Sequence, residues 1–147
     1  MTIASSTRKA GPFAGDGAST IFAFSFKVFS DSDLYVVKAV ASTGAETVLT
    51  LTTDYTVSLN ADQDNSPGGT VTLTSVLASG HTLTLTSSVG YLQPTDLTNQ
   101  GGFYPQVITT ALDRLTILAQ QLKEKLDRAV VVPISSKRAV DTLPADL

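Results

Sequence analysis

The sequence predicts a mainly β protein with a C-terminal α-helix, in which a small antiparallel β-sandwich is followed by a coiled-coil-like helix. Before residue 90, short runs of alternating apolar and polar residues are separated by Gly, Asp, Asn and Ser, as in a β domain. After residue 104, apolar residues recur at spacings of three and four, which is the helical period. The predicted organisation is an extended arm (1–18), the β-sandwich (19–90), an ordered linker (91–104), an oligomerising helix (105–129) and an extended tail (130–147).

The composition excludes several kinds of partner and site. The net charge is −3, and the 10 Lys and Arg residues form no stripe of the kind that binds nucleic acid. No apolar run approaches the ~18 residues of a membrane span, and no signal-peptide core is present, so no membrane partner is expected and synthesis is expected in the cytoplasm. The absence of cysteine excludes disulfides and thiolate metal sites.

Six strands are predicted from alternation and turn signals. In the first of them, Phe22, Phe24 and Phe26 share one face and are expected to form the centre of the core. Gly80, between the last two strands, fits a hairpin turn. The predicted strands cover residues 20–29, 34–41, 46–51, 55–59, 69–75 and 81–87.

The predicted helix carries a coiled-coil seam, because its apolar residues alternate between the a and d positions of a heptad. The seam residues, which we expect to mediate oligomerisation, are Ile108, Leu112, Leu115, Ala119, Leu122 and Leu126. Ala111 and Leu118, at g positions, widen the stripe beyond what a two-stranded coil needs. A helix of about 24 residues spans roughly 36 Å, which is more than one small sheet is expected to cover. Partner copies are therefore favoured over the alternative of a single helix lying on its own β domain, and the heptads permit two to four strands.

The arm before residue 19 contains a candidate docking site. Phe13 follows Pro12 in a segment rich in Gly and Ser, and Arg8 and Lys9 precede it. An aromatic side chain in such a segment is able to anchor the chain on another protein. The alternative is that Phe13 closes the base of its own β domain. The aromatic linker (91–104) is expected to be packed rather than flexible.

No catalytic constellation is present in the sequence. The single histidine, His81, lies in a Thr-rich strand pattern, and no nucleophile elbow occurs. Asp62, Asp64 and Asn65 alternate like calcium ligands, but no bidentate Glu follows at the required distance, and ordinary turn chemistry explains them better. The glycines at 68 and 69 precede a strand rather than a phosphate-binding helix. The protein is therefore expected to be no enzyme and to hold no metal or cofactor.

Three stretches of the sequence resemble a known group of phage proteins. They are TRKAGPFAGDGASTIFAFSFKVFSDSDLYVV at residues 7–37, DYTVSLNADQDNSPGGTVTLTS at residues 54–75 and QPTDLTNQGGFYPQVITTALDRLTILAQQL at residues 93–122. In this order they resemble the N-terminal, virion-anchoring region of tail fibres and tailspikes of short-tailed bacteriophages, over residues 5–130. Unlike those proteins, the chain stops at Leu147 with no shaft or receptor-binding domain. We expect the receptor-binding part to be a separate protein, or the chain to be the anchor alone.

The resemblance implies a structural virion protein in the tail, made in the host cytoplasm, that joins a fibre or tailspike to the tail for host attachment. It further implies a homotrimer that docks on a tail tube, adaptor or nozzle protein and carries a distal fibre or tailspike protein. We expect the virion-docking residues to be Arg8, Lys9, Pro12 and Phe13, because an apolar anchor on a flexible arm is able to become ordered on a partner. The alternatives are a fragment of a glycan-cleaving tailspike, or a module that binds host polysaccharide on Tyr35, Tyr55 or Tyr91.

Overall fold

A computed structural model describes residues 3–97 and 102–130. The end of the linker at 98–101 and the predicted tail from 131 onwards lie outside the described residues. The regular elements, besides a 3-10 turn at Asp31–Asp33, are β1 (Lys9–Ala14), β2 (Ile21–Phe24), β3 (Leu34–Val40), β4 (Glu46–Val48), β5 (Tyr55–Leu59), β6 (Gly69–Leu73), β7 (His81–Ser87) and α1 (Pro105–Asp127).

The strands form two antiparallel sheets, one in the order β1-β7-β3-β4 and the other in the order β2-β6-β5. The predicted class, mainly β with a C-terminal helix, is therefore confirmed. All six predicted strands are present, although β2 ends at Phe24, earlier than predicted. The predicted hairpin at Gly80 is wrong, because β6 and β7 lie in different sheets and the chain crosses from one to the other between them. Leu77 is buried within this crossing, where its N–H donates to the carbonyl of Ser19 at 3.1 Å.

A single apolar cluster draws its residues from both sheets. In one sheet the buried positions alternate along β2, where Phe22 lies opposite Val71 of β6. In the other sheet Val36 of β3 lies opposite Leu85 of β7, and both side chains are fully buried. Phe26 continues the cluster beyond the end of β2, as its place in the predicted core requires. A shared core of this kind favours a β-sandwich, and face-to-face packing of the sheets stays a prediction.

The predicted arm contributes a strand to the first sheet. Strand β1 pairs with β7, with Lys9 opposite Thr86 and Phe13 opposite Leu83. A bulge between Ala10 and Phe13 contains the cis peptide bond that joins Gly11 to Pro12. Because Pro donates no hydrogen bond and a bulge interrupts pairing, both features suit a strand at the edge of a sheet. The same residues hid the strand in the sequence, because they break its alternation.

One face of α1 packs on the β domain, and we call it the domain face. Its residues are Asp113, Ile117 and Gln121, and all three are buried. The side-chain carbonyl of Gln121 accepts hydrogen bonds from the Ser87 hydroxyl and the Val89 N–H, both at 2.9 Å. Its amide donates to the carbonyl of Val89 at 3.1 Å. Ile117 is the one fully buried apolar residue of the helix within the described residues. The helix is therefore docked mainly by directional polar contacts.

A buried lysine ties the helix to the β domain. The ammonium of Lys27 contacts the carboxylate of Asp113 at 2.7 Å and that of Asp64, which lies in the loop before β6. Burial alone lowers the pKa of Lys27, but the hydrogen bonds and charges of Asp113 and Asp64 outweigh it and raise the pKa above 10.5. The charged lysine therefore stabilises the fold at all pH values below its ordinary pKa, and this contribution is lost as the pH rises through the raised value.

We expect Lys27→Met to lower the free energy of unfolding by about 3–5 kcal/mol, because it leaves the Asp113 carboxylate buried without its cation. Lys27→Met combined with Asp113→Leu removes both charges, and this double variant should recover most of the loss. Urea denaturation followed by circular dichroism measures both changes.

The matched control is Lys123→Met, which breaks the exposed ion pair between Lys123 and Asp127 on the same helix. Exposed pairs contribute about 0–1 kcal/mol, so this variant should unfold almost as the parent chain does. Equal stability of Lys27→Met and Lys123→Met would show that the buried cluster does not hold the helix.

Candidate interaction surface

The predicted seam lies on the surface of the described chain. Four of its leucines are between 51% and 65% exposed, and Ala119 is also exposed. Ile108 is half-buried, as are Ala111 and Leu118 at the edge of the seam. The four exposed leucines are Leu112, Leu115, Leu122 and Leu126. Leucines spaced along one face of a helix and left open to solvent mark an interaction surface rather than a random scatter of apolar residues.

The seam and the domain face lie on opposite sides of the helix. Successive residues of an α-helix are about 100° apart, which places the middle of the seam about 180° from Ile117. In heptad terms Asp113, Ile117 and Gln121 occupy b, f and c, the positions that point away from the axis of a coiled coil. The helix does lie on its own β domain, as the alternative interpretation of the sequence has it. It does so through the face that leaves the seam free.

The linker follows one flank of the helix, where Arg114 fixes it. The guanidinium of Arg114 donates to the carbonyl of Leu92 at 2.8 Å and to that of Gly90 at 2.7 Å. About three helical turns further on, the Lys125 ammonium lies 5.4 Å from the centre of the Tyr91 ring. The pKa of Tyr91 is lowered mainly by a hydrogen bond with Gln121 and, to a smaller extent, by the hydrogen bond and charge of Lys125. The first part of the linker is therefore held against the helix.

An open groove of about 540 Å³ lies between the linker and the seam. Its walls are mostly apolar, with Leu92 and Pro94 on the linker side and Leu115 and Leu118 on the helix side. Leu92 is 75% exposed at its rim. The groove therefore extends the seam sideways onto the linker.

Exposed aromatic side chains continue this surface at the start of the helix. Phe103 and Tyr104 are both more than two-thirds exposed, and Val107 in the first turn is 40% exposed. Leu97, in the linker, is exposed as well. Large apolar side chains are thus exposed in the linker and at the start of the helix as well as in the seam.

The four predicted docking residues divide into two pairs. Arg8 is buried: its guanidinium donates to the carbonyl of Lys27 at 2.8 Å and lies 5.2 Å from the centre of the Phe26 ring. Burial lowers the pKa of Arg8 to about 10. Phe13 is half-buried with its ring 5.4 Å from that of Phe22, so it closes its own β domain, which is the alternative considered for it. Lys9 and Pro12 are exposed, and docking on a virion through this segment stays a prediction.

The three tyrosines considered for polysaccharide binding lie in different surroundings. Tyr55 is buried in the core at 3% exposure, so it is unable to offer a surface platform. Tyr35, in β3, and Tyr91, in the linker, are both exposed. Tyr91 lines the groove, and its ring contacts Lys125.

The polar loop before β6 is built by internal hydrogen bonds. The Asp62 carboxylate accepts bonds from the N–H groups of Asp64 and Asn65, both at 3.0 Å, and from the Asn65 side chain at 2.7 Å. The bonds from Asn65 lower the pKa of Asp62. These contacts are those of a turn, as the sequence predicts. Within residues 3–97 and 102–130, no group of three or more His, Asp or Glu side chains is placed to hold a metal ion.

Sequence reasoning missed the polar contacts that hold the helix on the β domain. Lys27 alternates with phenylalanines in its strand pattern, and Asp113 and Gln121 read as solvated helix positions. The sequence does contain one indication of this contact. Ile117 is an isolated apolar residue on the side of the helix opposite the seam. An apolar f position indicates that the back of a coiled-coil helix is also covered.

No model of a known protein family matches this sequence. Within the part of the chain that the structure describes, no helix combines the length and apolar composition of a membrane span. The chain is 38% identical over 121 residues to the Tail spike protein of Salmonella phage epsilon15. The match covers 82% of this chain and 11% of that protein, so the chain spans a small part of its relative's length. The match includes most of the residues that carry the resemblance noted in the sequence, and that resemblance is confirmed: the chain is similar to part of a phage tail spike protein.

Proposed function

We propose that this chain is a structural component of the virion tail, a homotrimeric anchor or adaptor that joins a fibre or tailspike to the tail for host attachment. The relationship to a phage Tail spike protein supports a structural role in the tail. The observation that carries the anchor assignment is the open seam, which faces away from the domain that holds the helix. A helix displayed in this way is suited to bundle with copies of itself.

The energy of the seam favours self-association. Full burial of a leucine contributes roughly 1.5–3 kcal/mol, so covering the exposed halves of four seam leucines contributes about 3–6 kcal/mol per chain. The chain's own β domain contacts the opposite face, so it does not cover the seam. Neighbouring copies supply both the apolar surface and the matching heptad period.

The docked helix would also fix the orientation of its β domain in the assembly. Because Lys27, Ile117 and Gln121 fix the helix on its domain, three bundled helices would hold three β domains around one axis. The domains would then face a tail tube, adaptor or nozzle protein, and the C-terminal ends of the helices would lead towards a distal fibre or tailspike protein. Exposed Lys9 and Pro12 lie on the β domain, where they are available for the first of these contacts.

We also propose that the chain has no enzymatic activity. The carboxylates of Asp64 and Asp113 are both bound to the buried ammonium of Lys27. A general acid in a glycosidase needs a carboxyl group that is free to contact the substrate, and the contacts with Lys27 occupy both of these carboxylates. The occupied carboxylates therefore support a structural function.

We expect Leu115→Asp combined with Leu122→Asp to reduce the chain to a monomer, because each aspartate would face its symmetry mates in a water-excluded seam. Strand circular dichroism should be kept, since the Phe22, Phe24 and Phe26 core is remote from the seam. Light scattering measures the mass of the assembly.

The control is Gln106→Asp combined with Thr110→Asp, which adds the same two charges at exposed positions outside the seam. This variant should keep the parent mass. If both double variants keep the parent mass, the seam is not the interface and the anchor proposal fails.

A second test separates the anchor from a polysaccharide-binding module, which exposed Tyr91 beside the groove would favour. We expect no micromolar binding to bacterial lipopolysaccharide or capsule by calorimetry, and no release of reducing ends from either, because the groove offers mainly apolar walls. Binding that Tyr91→Ala abolishes, while the control Tyr35→Ala keeps it, would establish the module instead. Release of reducing ends would establish an enzyme.

A further inference from the structure

We propose that the groove beside the linker is completed by a neighbouring copy of the chain, in a parallel ring in which each linker packs on the next helix. This inference rests on the self-association proposed above and specifies its geometry. Its starting point is that the two flanks of the seam are unlike each other.

The linker covers one flank of the seam. Arg114 and Gln121, at c positions, hold the backbone of Gly90, Leu92 and Val89 by hydrogen bonds of 2.7–3.1 Å. The g positions on this flank are Ala111, Leu118 and Lys125. Leu92 projects beside them and is 75% exposed. This flank is broad and apolar, and we call it the linker flank.

The other flank is narrow and polar. Its e positions carry Thr109, Thr116 and Lys123, and the last two are exposed. The chain contacts this side with its N-terminal segment, where Gln120 at a b position donates to the carbonyl of Ser5 at 3.1 Å. The small threonine side chains leave room for a neighbouring backbone to approach. We call this side the threonine flank.

The direction of the chains decides which flanks meet. In a parallel coil each g position faces an e position of the neighbour, about five residues later, whereas in an antiparallel pair g faces g. An antiparallel dimer would therefore press two broad linker flanks together on one side and place two narrow threonine flanks against each other on the other side. A parallel arrangement places one threonine flank in each groove.

The residues that a parallel arrangement brings together are compatible. Ala111 would face Thr116 of a neighbouring copy, and Leu118 would face the stem of Lys123, whose ammonium reaches solvent. The e position that would pair with Lys125 lies beyond the end of the helix at Asp127, so Lys125 has no partner in the coil. A contact between unlike flanks is heterologous, and such contacts close into a ring when the copies are related by rotation about one axis, as the helices of a parallel coil are. The additional apolar width at Ala111 and Leu118 suits a ring of three.

Cross-linking tests this geometry directly, since the chain contains no cysteine. A tagged full-length Leu92→Cys chain and an untagged Thr116→Cys chain are refolded together and treated with a short bis-maleimide. We expect a tagged–untagged covalent dimer of about twice 15.4 kDa in the mixture. Either variant alone should give less than about a tenth of that cross-linking, because like flanks do not meet. Light scattering should show that each variant keeps the parent mass.

Leu115→Cys is the control, because its side chain lies in the seam and should cross-link with its own copies in any coil. Cross-linking of Leu115→Cys without the mixed dimer would overturn the inference and leave self-association intact. Efficient cross-linking of Leu92→Cys alone would establish antiparallel pairing and overturn it as well. Failure of Leu115→Cys to cross-link would overturn the proposed function together with this inference.

Discussion

The ammonium of Lys27, buried between the carboxylates of Asp64 and Asp113, determines how the helix is presented. It joins three parts of the chain: the segment that follows β2, the loop before β6 and the middle of α1. A buried charge is costly unless paired, so the helix is held in the rotation that brings Asp113 to the lysine. That rotation turns the seam outwards. The exposure of the seam leucines is therefore a consequence of an ion cluster on the other side of the helix.

This arrangement separates the two tasks of the helix. Its domain face binds the β domain through hydrogen bonds and an ion cluster, whose geometry is specific. Its seam keeps an apolar surface, and the hydrophobic effect that favours burying this surface has no preferred direction. The linker, fixed by Arg114, adds apolar surface on one flank alone. An assembly built on such a helix can fix the angle between each β domain and the common axis, which an anchor between a tail and a fibre requires.

The sequence predicts the elements well and the way they join less well. The phenylalanines of β2, the strand at Tyr55 and the extent of α1 follow from local periodicity, and so does the seam. Strand β1 was hidden by the bulge at Pro12, and the hairpin predicted at Gly80 is a crossing between sheets, because turn residues do not specify which strands pair. The contact between Lys27 and Asp113 joins residues far apart in the sequence, which periodicity within one segment does not detect.

The central claim is that the seam is an interface between copies of the chain, and its most direct test is the mass of the unmodified chain by sedimentation equilibrium. We expect a species of three times 15.4 kDa at micromolar concentration. A single species of 15.4 kDa under the same conditions would contradict the account, because four exposed leucines on one helix face would then have no partner copy.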